Sequence, residues 1–180
     1  MKRMEPMTEQ QSQKMIAAAF TRSKRDGVLL ALASRHASRA SELAGLRVSD
    51  LNLKDSSIFI TRRKGSVSKP EALLSGEVEM LRNYLNDRTD GLLFPSEKGG
   101  RLSTVQVYRI FRRYAELAGV PDVSRSPHAF RHTLGQNLAD KGMDVSMLQV
   151  VMGHKNIEST MRYFTHKQSV VDAEKARLLS

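Results

Sequence analysis

The chain has 180 residues, of which 40% are hydrophobic and 27% charged, a balance typical of one globular domain. Its 29 Lys and Arg against 19 Asp and Glu give a net charge of +10. It contains no cysteine, which excludes disulfides, a thiol nucleophile and cysteine-ligated metals. The longest apolar run, residues 28–33, is too short to cross a bilayer, and Met1 is not followed by a secretory signal. A cytoplasmic, nucleoid-associated location is therefore expected.

The positive charge is spread along the chain rather than confined to a tail. Basic residues outnumber acidic ones in each of the segments 1–50, 51–100, 101–150 and 151–180. A domain of this kind most often binds a polyanion, because neutralising phosphates releases counterions. We therefore expect nucleic acid as the partner, and a generic solubilising charge is the alternative.

Helices account for most of the predicted elements. Thr8 and Gln11 have the spacing of a capping box and predict the start of the first helix, after a flexible terminus over residues 1–7. Ser38 or Ser41 would cap a short third helix, and Pro127 suits the first position of a later one. The apolar periodicity predicts helices over residues 8–20, 26–36, 42–44, 77–85, 104–117, 127–141, 144–152, 156–164 and 169–179.

One stretch between these helices has the pattern of short strands. Aliphatic and β-branched residues at 48–53 and 58–60 predict two antiparallel strands, and Lys64-Gly65-Ser66 predicts a hairpin tip leading to a third strand over 67–74. Pro70 cannot donate a hydrogen bond to a neighbouring strand, so the third strand should lie at the sheet edge. The predicted fold class is α+β: a single, mostly helical domain over residues 1–180 with a small three-stranded antiparallel sheet.

The densest group of candidate reactive residues lies at the start of the predicted helix 127–141. His128 and Arg131 are three residues apart, so they share a helix face and could clamp a phosphate. A surface arginine and a core histidine fit these two residues alone equally well. His128 and His132 also have the spacing of zinc ligands, but Ala129 stands where the metalloprotease motif needs glutamate, so no metal is expected.

The other candidate groups are ambiguous when each is taken alone. Arg39 and Glu42 share a helix face, which an ordinary ion pair explains. Lys64 lies at the predicted hairpin tip, where a lysine is usually just solvated. His154 follows a glycine and precedes Tyr163 by nine residues. For Tyr163 alone, the simple explanation is a half-buried tyrosine whose hydroxyl contacts water.

In their order and spacing, these groups together resemble the motifs of the tyrosine recombinase, or phage integrase, family. Arg-x-x-Glu-Leu, a Lys-Gly hairpin, His-x-x-Arg-His, Gly-His and a late Tyr follow one another within residues 8–180. The resemblance implies the catalytic-domain fold of that family. It also implies a catalytic set made of Arg39, Glu42, Lys64, His128, Arg131, His154 and Tyr163.

The resemblance implies cleavage and rejoining of DNA through a 3′-phosphotyrosyl intermediate. Tyr163 would attack the scissile phosphate and expel a 5′-hydroxyl. Arg39 and Arg131 would hold the non-bridging oxygens, and His154 would donate a further hydrogen bond.

The remaining members of the set would move protons or orient other groups. Lys64 would protonate the leaving oxygen, and His128 would assist proton transfer at the tyrosine. Glu42 would orient Arg39 or His128. No metal or nucleotide cofactor is implied, because the bond energy is conserved in the phosphotyrosine.

The sequence departs from the family pattern in two places. Many relatives carry a helical domain ahead of the catalytic one, whereas the residues before Arg39 hold only the first helices. The chain is then either a catalytic domain taken from a longer protein or similar to the single-domain branch typified by fimbrial-switch invertases. In addition, His36-Ala37-Ser38 stands where relatives often have a Gly-Leu pair.

The tail over residues 169–179 bears on the expected partners. It either packs on its own domain or, as the resemblance implies, docks on a neighbouring protomer to build a homo-tetramer around two DNA duplexes. Accessory DNA-bending or directionality proteins would be further partners. Two alternative functions remain at this point: a type IB topoisomerase with the same chemistry, and a non-catalytic protein using a helix-turn-helix over residues 138–163.

Overall fold

A computed structural model describes residues 6–62, 67–164 and 168–179, which form a mostly helical fold with one small sheet, as predicted. The helices are α1 (Glu9–Phe20), α2 (Lys24–Arg35), α3 (Ala40–Leu43), α4 (Ser75–Leu85), α5 (Thr104–Leu117), α6 (Pro127–Asp140), α7 (Val145–Met152), α8 (Glu158–Met161) and α9 (Gln168–Leu179). The strands are β1 (Leu51–Asn52), β2 (Ser57–Ile60) and β3 (Lys69–Ala72). Within the described ranges, no helix has the length and apolar character needed to cross a membrane.

The sheet is antiparallel in the order β1-β2-β3, so β3 is an edge strand, as Pro70 predicted. Along β2, Ile58 and Ile60 are buried while Phe59 between them is exposed. This alternation of period two continues past the strand, because Arg62 is buried as well. The backbone therefore directs a charged side chain towards the interior just before the predicted hairpin tip.

The strands are shorter than the sequence predicted. Val48 belongs to a 3-10 turn rather than to β1, and residues 73–74 lie beyond β3. The turn forms because the Asp50 carboxylate accepts a hydrogen bond from the Arg47 backbone N–H at 2.8 Å, which closes the chain on itself.

Local capping explains where the first helix begins. The predicted box is present, since Gln11 donates its backbone N–H to Thr8 Oγ1 at 3.1 Å and accepts from Thr8 at 2.9 Å. The prediction of a flexible terminus through residue 7 is wrong at Met7. This residue is 4% exposed, and its backbone N–H donates to Thr133 Oγ1 at 2.8 Å.

Several other boundaries differ from the predictions, among them those of α3 and α8. The N-cap of α3 is Arg39, not Ser38 or Ser41, because the Glu42 carboxylate accepts the Arg39 backbone N–H at 2.9 Å. Helix α8 covers only Glu158–Met161 of the predicted 156–164, and a local bond from the Glu158 N–H to the Asn156 side chain at 3.1 Å precedes it.

Two hydrophobic clusters meet at α6. The larger one packs α1, α2, α4 and α5 together and includes an edge-to-face contact between Phe111 and Phe130 at 5.3 Å. The smaller one comprises Ala37, Leu148, Met152 and Tyr163. Phe130 anchors α6 in the larger cluster, which leaves the opposite face of α6 towards the smaller cluster.

Candidate active site

A cavity of about 770 Å³ brings together five of the seven predicted site residues. It is lined by Arg39, His128, Arg131, His132, His154, Lys155, Asn156, Ser159, Arg162 and Tyr163. Of the other two, Glu42 is buried against Arg39, and Lys64 lies in 63–66, outside the described residues. Basic side chains predominate in the lining, so the cavity suits an anion.

Helix α6 supplies three of the lining residues. Pro127 occupies its first turn, as predicted, and Phe130 is turned into the core at 1% exposure. His128, Arg131 and His132 consequently reach the cavity. The prediction that His128 and Arg131 share a helix face is confirmed.

Arg131 is buried, and two backbone carbonyls fix its guanidinium. Its Nη1 donates to Ala37 O and its Nη2 to Met152 O. Burial, together with the positive charges of Arg39 and Arg62, lowers the pKa of Arg131 to about 10. The guanidinium therefore stays charged at neutral pH, and carbonyls hold it in place without cancelling that charge.

Arg39 is fixed by a carboxylate instead. Its Nη1 lies 2.8 Å from Glu42 Oε1, and the Glu42 side chain is fully buried. The other oxygen of Glu42 lies 3.1 Å from Nη1 of Arg62. One buried carboxylate is therefore shared by two arginines, and the contact to Arg39 is the ion pair that the sequence predicted.

Behind Glu42 lies a chain of alternating charges that sequence reasoning missed, here called the buried charge chain: Glu42, Arg62, Glu71, His36 and Glu77. Arg62 pairs with Glu71, whose second oxygen lies 2.9 Å from His36 Nδ1. His36 Nε2 lies 3.1 Å from Glu77. Burial alone would lower the pKa of His36, but the bonds to Glu71 and Glu77 outweigh it and raise the pKa to about 9. His36 is therefore an imidazolium that bonds β3 to α4.

The backbone at Ala37 connects this chain to the cavity. Ala37 is fully buried, and its φ is +48°, in the left-handed region that favours glycine. Its carbonyl accepts from Arg131 and, at 3.4 Å, from Arg62. The conformation explains in physical terms why a glycine is suited to this position, and this chain holds it with a strained alanine.

Two of the histidines that line the cavity, His128 and His154, have a lowered pKa. For His128 the causes are partial desolvation and the positive charges of Arg131 and Arg39. For His154, burial and the charges of Arg131 and Arg162 lower the pKa to about 4. His154 Nδ1 lies 2.9 Å from the hydroxyl of the buried Thr160. Both rings are therefore neutral at pH 7, so each carries one donor and one acceptor nitrogen.

Tyr163 also lines the cavity, and it belongs to the smaller hydrophobic cluster. It is buried at 7% exposure, more than the half-buried state that the simple explanation assumed. Its ring lies against His132, with 5.4 Å between centroids and a 35° tilt. Burial raises the pKa of Tyr163, and the positive charges of Arg131 and Arg162 oppose that rise.

The residues do not favour a metal centre. Within 6–62, 67–164 and 168–179, no group of three or more His, Cys, Asp or Glu side chains could hold a metal ion. The ring of His132, the second histidine of the zinc-like spacing, packs on Tyr163. The cationic arginines and the neutral rings of His128 and His154 make the cavity suited to an anion.

Comparisons with known proteins show the family of the chain. The model of the phage integrase family matches residues 5–169. The type 1 fimbriae regulatory protein FimB of Escherichia coli strain K12 is 36% identical over 165 residues, covering 87% of this chain and 82% of that protein. FimE of the same strain is 39% identical over 147 residues, covering 77% and 73%. A tyrosine recombinase of Pseudothermotoga lettingae is 34% identical, and this chain spans about half of it (52%).

Solved structures share the fold. The Tn1549 transposon integrase in complex with transposon right end DNA matches with a TM-score of 0.84 at 21% identity, covering all of this chain (100%) and 68% of that one. XerA recombinase matches with a TM-score of 0.78 at 24% identity, covering 96% and 62%. The family match, the FimB and FimE similarities and the fold agree with the motifs read from the sequence. The chain therefore belongs to the phage integrase family, and it is a tyrosine-type site-specific DNA recombinase.

Proposed function

We propose that this recombinase cleaves DNA with the hydroxyl of Tyr163. The oxygen attacks the scissile phosphorus, a 3′-phosphotyrosyl bond forms, and the bond to the 5′-oxygen breaks. The observation that carries the proposal is the shared cavity, which Tyr163 lines together with Arg39, Arg131, His128 and His154. Religation is the same step in reverse, with a 5′-hydroxyl attacking the phosphotyrosine.

The two arginines stabilise the charge that develops on the phosphoryl oxygens. Arg131 and Arg39 bind the non-bridging oxygens, and each is held in advance, Arg131 by carbonyls and Arg39 by Glu42. Such preorganised donors need little rearrangement when the transition state forms. Glu42 acts as a positioning residue for Arg39 and takes no part in the bond changes.

Three side chains handle the protons. His128, neutral because its pKa is lowered, accepts the phenolic proton of Tyr163. In the tautomer proposed here, Nδ1 of His154 accepts its 2.9 Å hydrogen bond from the Thr160 hydroxyl, and the proton on Nε2 donates to a phosphate oxygen. Lys64, assigned from the sequence motif alone, protonates the leaving 5′-oxygen.

Double-stranded DNA is the partner, and assembly on it is part of the proposal. Helix α9 ends in Leu178 and Leu179, which are 68% and 77% exposed. Exposed leucines at the end of a helix support docking on a neighbouring protomer in a homo-tetramer around two duplexes. Accessory DNA-bending or directionality proteins would act on that assembly.

The first test traps the covalent intermediate. Protein is incubated with nicked suicide duplexes taken from its flanking genomic DNA and from a randomised pool, then separated on a denaturing gel. We expect a protein–DNA adduct from the wild type and from Tyr108→Phe, a matched tyrosine outside the cavity, and none from Tyr163→Phe. An adduct formed by Tyr163→Phe would refute the nucleophile assignment.

The second test concerns assembly. Removal of residues 168–180 should leave a folded monomer that binds DNA and no longer forms the higher-order complex, as measured by sedimentation with duplex DNA. If the truncated protein still assembles, the exchange of α9 between protomers is wrong.

A further inference from the structure

A glycine inside α6 lies directly beneath the proposed nucleophile. Gly135 is buried in the interior of the helix, where glycine is less favourable than alanine. A Cβ placed on Gly135 would lie 2.6 Å from Cζ of Tyr163, 2.9 Å from Cε1 and 3.0 Å from Cε2. These atoms form the hydroxyl-bearing end of a rigid ring, so the ring could not bend away and would have to move as a whole.

The same helix supports the ring at a second point. His132, one turn before Gly135, contacts the Tyr163 ring with a centroid distance of 5.4 Å. His128, Arg131, His132 and Gly135 have the spacing i, i+3, i+4 and i+7, which forms one stripe along a helix. His128 and Arg131, which line the cavity, and His132 and Gly135, which lie beneath the tyrosine ring, are therefore carried by a single helix.

We infer that Gly135 is a positioning residue for the nucleophile, forming with His132 a seat that keeps the Tyr163 ring in register with Arg131. The inference rests on the proposed function of Tyr163. Because one helix carries both the seat and the phosphate ligands, it sets the distance from the attacking oxygen to the phosphate. A displacement of about 1 Å at a reacting group can slow a reaction on the order of 100-fold.

The kinetic test is Gly135→Ala, measured as the single-turnover rate of adduct formation at saturating suicide duplex. We expect the rate to fall roughly 10- to 100-fold while the Kd for duplex changes by less than about twofold. The matched control is Gly76→Ala, since Gly76 is also helical but has no atom within 4 Å of an added Cβ. Its rate should equal that of the wild type, and an equal rate for Gly135→Ala would overturn the inference.

A double-mutant cycle with Tyr163→Ala, measured by thermal unfolding, tests the inference even if Gly135→Ala folds poorly. In a Tyr163→Ala background the ring is absent, so Gly135→Ala should raise Tm by about 3 °C through its better helix propensity. With Tyr163 present it should lower Tm or prevent folding. Equal Tm changes in the two backgrounds would overturn the inference.

The two proposals fail differently. An adduct formed by Tyr163→Phe would refute the nucleophile assignment and, with it, the seat. A normal rate for Gly135→Ala, combined with an inactive Tyr163→Phe, would refute the seat alone.

Discussion

Two arginines of this molecule are buried to a similar degree in opposite surroundings. Arg62, in the buried charge chain, pairs with the carboxylates of Glu42 and Glu71. Arg131, at the cavity, is held by the carbonyls of Ala37 and Met152. A carboxylate neutralises the cation that it holds, whereas a carbonyl dipole orients the cation and leaves its charge available. The comparison separates an arginine that stabilises the fold from one suited to bind an anion.

The difference has an energetic consequence for the cavity. Within residues 6–62, 67–164 and 168–179, no carboxylate forms an ion pair with Arg131. Burial of a cation in such surroundings is unfavourable, and the lowered pKa of Arg131 reflects this. A DNA phosphate entering the cavity would supply the missing negative charge. We therefore expect the site to favour the phosphate electrostatically at the point where chemistry occurs.

The largest expected effect is on stability, from Arg62→Met. Removal of this guanidinium leaves Glu42 and Glu71 without their shared cation, which should lower the free energy of unfolding by about 3–5 kcal/mol. Urea denaturation measures the change. The control is Arg112→Met, because Arg112 pairs with Asp122 at 3.7 Å with both side chains largely exposed, and its loss should change stability by less than about 1 kcal/mol. Similar losses in both variants would contradict the comparison.

The second-largest effect is expected on catalysis, from Arg131→Ala, which removes the arginine held by carbonyls. Loss of a preorganised donor in the transition state should slow adduct formation roughly 10²- to 10³-fold. Binding of duplex, measured by fluorescence anisotropy at fixed salt, should weaken far less, because non-specific DNA affinity is generally shared among many Lys and Arg contacts to phosphates. Near-normal single-turnover cleavage would remove Arg131 from its proposed role.

The pH dependence of the free energy of unfolding tests the buried charge chain, through the protonation of His36. The pKa of His36 is about 9 in the folded state against an ordinary value of 6.5. The stability that protonated His36 contributes is therefore fully present below pH 6.5 and is lost as the pH rises through 9. The loss should be on the order of 3 kcal/mol. Denaturation at several pH values measures it, and His36→Gln should remove this slope; a slope retained in the variant would assign it to another group.

The smallest expected effect comes from the strained backbone of Ala37, the residue whose carbonyl accepts from both Arg62 and Arg131. Ala37→Gly should raise the free energy of unfolding by about 1 kcal/mol, because glycine adopts a φ of +48° without steric strain. Ala17→Gly, at an exposed position inside α1, is the matched control and should lower it by about 1 kcal/mol. Destabilisation by Ala37→Gly would show that the methyl group contributes more through packing than it costs in strain.

The sequence was most informative where a local rule applies. The box of Thr8 and Gln11, Pro127 at the start of α6, and the shared face of His128 and Arg131 depend on residues a few positions apart. They could be predicted, because helix geometry alone brings such residues together. The cap of α3 could not be chosen correctly between the two serines, because the bond that fixes it, from the Arg39 backbone N–H to the Glu42 carboxylate, involves neither of them.

Contacts between residues far apart in the sequence could not be predicted from such local rules. The role of Gly135 could not be predicted, because the side chain that leaves no room for a Cβ there is the ring of Tyr163, 28 positions further along the chain. Arg62 pairs with carboxylates from α3 and β3, which no local pattern places beside it. The alternation of Ile58 and Ile60 with Phe59 did carry a usable signal, since extending it by two residues directs Arg62 inward.

The bond between Met7 and Thr133 has a practical meaning for anyone who engineers this enzyme. Thr133 lies on α6 beside His132, so the start of the first helix is tied directly to the element that carries the proposed chemistry. A tag, tether or targeting module joined too close to Met7 would pull on that element. Fusion partners should therefore be attached through a spacer that leaves the backbone of Met7 free to reach α6.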